Sequence, residues 1–186
     1  WTPSASNLGT NVITFLAQDN FGVQTQTSVT ILVSLRPQFD VPPTPGSGSN
    51  NHNVYTPGDL IQFTAQASDP DPTDNVRIIK VEGKNMMGNA IPLYNGASFS
   101  SLPTAAGNPT SGNFSWQTQP SDWGHRHVFL TAEDSYGDQT RHEVPILVNT
   151  TPVFTSTPIT TAPAGQFYSY TIQGFDPDVA FGDDLN

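Results

Sequence analysis

Trp116 to Val148 reads WQTQPSDWGHRHVFLTAEDSYGDQTRHEVPILV, and the first thirty-three residues, WTPSASNLGTNVITFLAQDNFGVQTQTSVTILV, repeat it without a gap. Twelve positions are identical at an offset of 115, among them Trp1/Trp116, Gly9/Gly124, Ala17/Ala132, Asp19/Asp134, Gly22/Gly137 and Val33/Val148. A second match begins where this one ends: Pro37 and Phe39 align with Pro152 and Phe154, and ASDPD at 67–71 aligns with GFDPD at 174–178. The chain is therefore a window onto a tandem array. Residues 1–35 are the C-terminal half of one repeat, 36–149 a complete repeat, and 150–186 the N-terminal half of the next. The middle repeat is long enough to bury a core. The flanking halves are not, and are expected to fray unless the natural chain continues at both ends.

Working outward, residues 10–17 and 23–33 read as two strands joined by the turn Asp19-Asn20-Phe21-Gly22. Ile13, Phe15 and Ala17 share one face of the first strand, and Val29, Ile31 and Val33 one face of the second; this alternation is what a half-buried antiparallel hairpin requires. The middle unit carries an eight-residue insertion, within DVPPTPGSGSNNHN, whose Pro, Gly, Ser and Asn mark an exposed loop. A strand follows at 60–67 with Ile61, Phe63, Ala65 and Ala67 inward, and the next copy places Tyr168, Tyr170 and Ile172 inward in the same way. Another strand is expected over 76–81. From 83 to 113 the chain has no Asp or Glu and no clear period, with short strands expected near 90–94 and 97–101. Strands at 114–118, 127–133 and 139–148 close the unit. No segment has helical periodicity over even ten residues. The fold class is all-β: tandem antiparallel β-sandwiches of immunoglobulin type.

Sixteen acidic against six basic residues give a net charge of −10. That balance excludes nucleic acid as a partner, since phosphates are met by Lys and Arg, and disfavours anionic membrane surfaces. No apolar run is long enough to span a bilayer, so no membrane insertion is expected in this segment, and residue 1 does not open a signal peptide. Cysteine is absent, which rules out disulfides, thiol catalysis and Cys-based metal sites. Seventeen Pro, fifteen Gly and only 12% charged residues suit a β-rich secreted protein.

The run LTAEDSYG, the loop DPDPTDN and the linker phrase NTTPVF resemble the cadherin-like and bacterial Ig-like repeats of large bacterial surface proteins. The resemblance spans nearly the whole chain and extends by analogy to very large Bacteroidetes surface proteins, including gliding adhesins exported by type 9 secretion. The cysteine pair and intervening core Trp of antibody domains are missing.

In this topology the loop after the second strand and the turn before the last lie at one end, beside the incoming linker. Asp69, Asp71 and Asp74 should then lie near Glu133 and Asp134, beside Leu35 and Arg36. Carboxylates converging this way repel unless solvated or bridged, and calcium, with its preference for many oxygen ligands, is the natural hard cation. The next unit repeats the chemistry with Asp176, Asp178, Asp183 and Asp184, and the previous one keeps Asp19. The resemblance implies interdomain calcium at Asp69, Asp71 and Asp134. It departs from the family in its linkers, Ser34-Leu35-Arg36 and Asn149-Thr150-Thr151, and in lacking a mid-domain glutamate, so a reduced site is expected. The competing reading is that Asp-Pro-Asp only shapes a turn.

His125 and His127 share a strand face, but His142 and His52 are poorly placed to complete a zinc site. Trp1 and Trp116 are expected to pack at core or rim, with Trp123 more exposed; Tyr94, Phe99, Met86 and Met87 are expected to cover the open end of the core. No nucleophile elbow or phosphate loop is present, so no enzyme activity is expected. The reading is a secreted, cell-surface, bacterial adhesin or stalk segment. Its partners would be neighbouring repeats, a surface glycan or protein receptor, and secretion machinery. The alternatives are a spacer or glycan-binding module of an extracellular hydrolase, or a filament subunit.

Overall fold

The computed structural model describes residues 1–41, 54–85 and 87–181. The body of the 40–53 insertion, His52, Met86, Asp183 and Asp184 lie outside the described residues. Among the described residues thirteen strands run in order: β1 (Gly9–Gln18), β2 (Gln24–Val33), β3 (Gln38–Val41), β4 (Val54–Tyr55), β5 (Leu60–Ser68), β6 (Val76–Lys84), β7 (Ala90–Ile91), β8 (Ala97–Phe99), β9 (Thr110–Gln117), β10 (Gly124–Asp134), β11 (Gln139–Val148), β12 (Val153–Phe154) and β13 (Gly174–Phe175). The only helical turns among the described residues are short 3-10 segments at Ala5–Asn7 and Pro177–Phe181.

The molecule is all-β, and its middle is an Ig-like sandwich. A five-stranded sheet, β4-β11-β10-β6-β7, faces a four-stranded one, β3-β5-β9-β8. The inward residues alternate along each strand: Ile61, Phe63, Ala65 and Ala67 from β5, Phe114 and Trp116 from β9, Val128, Leu130 and Ala132 from β10, Val144, Ile146 and Val148 from β11. The 114–118 strand expected from sequence extends back to Thr110, because Thr110 to Gln117 pair without interruption with Ala67 to Leu60. Phe63 and Phe114, opposite each other in that ladder, stack at 4.6 Å.

β1 and β2 pair with the register of β10 and β11 shifted by 115 throughout, from Gly9↔Val33 and Gly124↔Val148 onward. The pairs Val153↔Phe175 and Phe154↔Gly174 likewise repeat Gln38↔Ser68 and Phe39↔Ala67. Local pairing is thus copied, but burial is not. Phe15 is 57% exposed, whereas its counterpart Leu130 is fully buried, since no second sheet covers β1 and β2 among the described residues. For the same reason the strand expected around Tyr168, Tyr170 and Ile172 does not form. Only Gly174–Phe175 pairs, and Ile172 is exposed.

The acid-free segment closes the core with Tyr94. Its ring stacks on Trp116 at 4.7 Å and lies over Gly83, where a Cβ would sit 3.1 Å from the ring. Its hydroxyl accepts from the amides of Lys84 and His127 (3.2 and 3.0 Å) and lies 2.9 Å from both their carbonyl oxygens. It therefore satisfies backbone groups at the end of the β6–β10 ladder, whose last pair is Val128↔Gly83. Trp116 is buried and donates to the Asn95 carbonyl, and Phe99 packs at the core margin. Trp1 is 64% exposed and Met87 83% exposed, which corrects the expectation that they pack. Tyr94→Phe should lower stability by about 1–3 kcal/mol, since it strands backbone groups rather than apolar area. Thermal unfolding checks this, and an unchanged midpoint would show that the hydroxyl holds nothing.

Candidate metal centre

The geometry of the acidic end follows from three pairings. Gln38↔Ser68 runs antiparallel, so the buried Pro37 of the linker falls beside Asp69. Asp134↔Val76 brings the end of β10 to the start of β6, next to Asp74. Asn108, from the irregular segment, accepts from the Asp69 amide (3.0 Å) and donates to the carbonyls of Asp69 and Asp71 (3.0 and 2.9 Å). This residue was not singled out by sequence reasoning, because an Asn in a patternless stretch carries no signal of what it will staple.

One carboxylate oxygen from each of Asp69, Asp74 and Asp134 lies within 4.8 Å of the others. All three residues are buried, between 3% and 6% exposed. In each, Oδ1 is engaged with backbone: Asp69 accepts the Asp71 amide (2.8 Å), Asp74 the amides of Asn75 and Ser135 (2.7 and 3.1 Å), Asp134 those of Tyr136 and Asp138 (2.8 and 2.9 Å). In each, Oδ2 is buried and has no hydrogen-bond partner.

The turn-shaping role is real and does not need the charge. Asp134, Asp19 and Asn85 build the same five-residue turn: Oδ1 accepts the amides two and four residues on, and a glycine with φ near +87° sits three residues on in each. Asn85 does this with a neutral amide, so the turn alone does not account for a buried carboxylate at Asp134.

Three like charges at this spacing repel by more than about 3 kcal/mol per pair at an effective dielectric of about 20. Burial pushes the Asp69 pKa up, against the Asp71 amide bond that lowers it, and the charges of Asp74, Asp134 and Asp71 add to the rise. Asp71 is held below its ordinary value by the hydroxyl and amide of Thr73. Its Oδ1 faces Thr73 at 2.7 and 3.0 Å, so it shapes the loop beside the trio without joining it. Glu133 is half-buried and accepts from Gln139 (2.5 Å). Asp19 keeps the turn of Asp134 but is exposed. Asp176 and Asp178 are buried next to the second linker, where Asp178 accepts from Thr150.

The donor set is all oxygen, hard, and spaced for an ion that takes ligands at about 2.3–2.6 Å. Other histidine candidates do not assemble: His127 Nδ1 lies 2.5 Å from Glu143 Oε1, and His142 packs against Phe39. The Asp trio is the one metal-capable cluster among the described residues. A cleft of about 370 Å³ beside it is lined by Asn75, Arg77, Ala106, Glu133, Asp134 and Ser135.

No protein-family model and no curated protein matches this chain. Among solved structures the chain is similar to the ASH / PapD-like domain of human CEP192 (PapD-like domain 7), with 12% identity and a TM-score of 0.40, over 63% of this chain and 88% of that one. No helix among the described residues is long and apolar enough to cross a membrane.

Between Asp69's ordinary and raised pKa the folded state holds a proton that the unfolded chain has released. Stability in chelator should therefore rise as pH falls from neutral through the raised value, ending near the unfolded value of about 3.9. Below that, Asp71, whose folded pKa is lowered, withdraws its contribution. Asp69→Asn should raise the melting temperature in chelator and flatten the acid-side rise. A lower midpoint for Asp69→Asn would mean that the carboxylate stabilises the fold without a cation.

Proposed function

We propose that this chain is a non-enzymatic segment of a long, secreted bacterial cell-surface protein, an adhesin or stalk whose Ig-like sandwiches span distance in series. Calcium bound by Asp69, Asp74 and Asp134 would brace the incoming joint. The observation that carries this reading is the set of three buried, unpartnered carboxylate oxygens beside Pro37. A cation there offsets their repulsion, ties the β5–β6 loop to the β10–β11 turn, and fixes the surface that receives the linker. Three carboxylates fall short of the six to eight oxygens calcium takes, so water and backbone carbonyls complete the shell. Such reduced sites suit the weak end of calcium affinity, on the order of 10⁻⁴–10⁻³ M, where extracellular modules work.

The resemblance to bacterial surface repeats, the absence of cysteine and the acidic charge agree with this setting.

Calcium at about 1 mM should raise the melting temperature of the whole chain, by binding the folded state alone. Asp74→Asn or Asp134→Asn should abolish the rise while leaving the protein folded in chelator. Identical melting curves in calcium and in chelator for the unaltered chain would remove the cation from the proposal.

A further inference from the structure

The two joints repeat in sequence but differ in wiring. At the 115-residue offset Thr150 corresponds to Leu35, and beyond the insertion Asp178 corresponds to Asp71 at an offset of 107. Asp178 is 1% exposed, and its Oδ2 accepts both the amide and the hydroxyl of Thr150, the latter at 2.8 Å. One residue earlier, the Asn149 amide donates to the Tyr55 carbonyl at 2.6 Å. The outgoing linker is thereby tied backward to the middle unit and forward to the loop of the next. Charge-assisted bonds of this kind, shielded from water, are among the stronger single contacts a linker can make.

The incoming joint has the opposite arrangement. Leu35 has no hydroxyl to offer, and Asp71 is turned onto its own loop by Thr73. In the third unit the residue matching Thr73 is Ala180, which has no hydroxyl to hold Asp178, and the residue matching Asp74 is Phe181, which carries no carboxylate. One oxygen of Asp178 thus serves the linker while the other, Oδ1, is buried without a hydrogen-bond partner, whereas at the incoming joint it is three aspartates that converge.

We infer that the outgoing joint is held by a cation-independent Thr150–Asp178 latch, and that calcium-dependent bending is confined to the incoming joint. The second half of this inference rests on the calcium reading proposed above; the first does not. An array built this way bends at chosen joints when calcium falls, rather than collapsing along its whole length.

The chain has no cysteine, so pairs of introduced cysteines report on each joint alone in the full chain. Spin labels at Gln26→Cys and Ser111→Cys span the incoming joint, and those at Ser98→Cys and Thr155→Cys the outgoing one. In chelator, pulsed electron resonance should give a broad distance distribution for the first pair, narrowing with calcium, and a narrow one for the second pair in both conditions. Thr150→Val should lose the narrow distribution of the second pair. The double variant Leu35→Thr with Thr73→Ala should transfer a narrow distribution to the first pair without calcium. A second pair that narrows only with calcium, or that ignores Thr150→Val, overturns the latch. If the first pair ignores calcium while the second still depends on Thr150, the cation reading fails and the latch stands.

Discussion

An antiparallel hairpin can satisfy its own hydrogen bonds but cannot cover its own apolar face. The chain shows both outcomes in two hairpins of the same register. β10 and β11 lay Val128, Leu130, Val144 and Ile146 against the opposing sheet and bury them, while β1 and β2, in the same register, leave Phe15 and Val29 in solvent. The ladder therefore contributes direction and spacing, and most of the stability comes from removing the inner face from water. The middle unit owes its closure to Tyr94 as much as to its strands. That one side chain covers Trp116, rests on Gly83 and finishes the β6–β10 ladder.

Once the sandwich is closed, its end becomes a place where charge is expensive. Asp69, Asp74 and Asp134 each use one oxygen to hold the backbone of a loop and bury the other unpaired. The first oxygen explains why an Asx residue stands at each position. The second is a cost that a turn has no need of, as the neutral Asn85 turn demonstrates within the same chain. A hard cation is the simplest partner for three such oxygens, and the linker emerges beside them. At the opposite joint one oxygen of the buried Asp178 takes the hydrogen bonds of Thr150, and its other oxygen is unpaired.

Much of the fold was legible because the repeat and the period-two pattern are local properties. The strand boundaries of β2, β5 and β11, and the inward faces of β5, β10 and β11, follow from alternation of apolar and polar residues. The loops were harder. Asn108 and Thr73 decide how Asp69 and Asp71 are oriented, yet neither residue type announces a long-range partner. The extension of β9 to Thr110 was hidden in a stretch with no period. Trp1 and Ile172 were misread because their patterns promise a core that exists only where a second sheet arrives.

By itself, the amino-acid sequence determined the all-β class, the offset at which the chain repeats, the strands that form hairpins and the acidic character of the loops. Each of these depends on neighbours along the chain or on one partner strand. The tertiary structure alone decided which three of the candidate aspartates converge and which linker finds a carboxylate. Those outcomes depend on distances between groups far apart in sequence, where a single side chain such as Thr73 or Ala180 redirects an aspartate without altering the pattern around it.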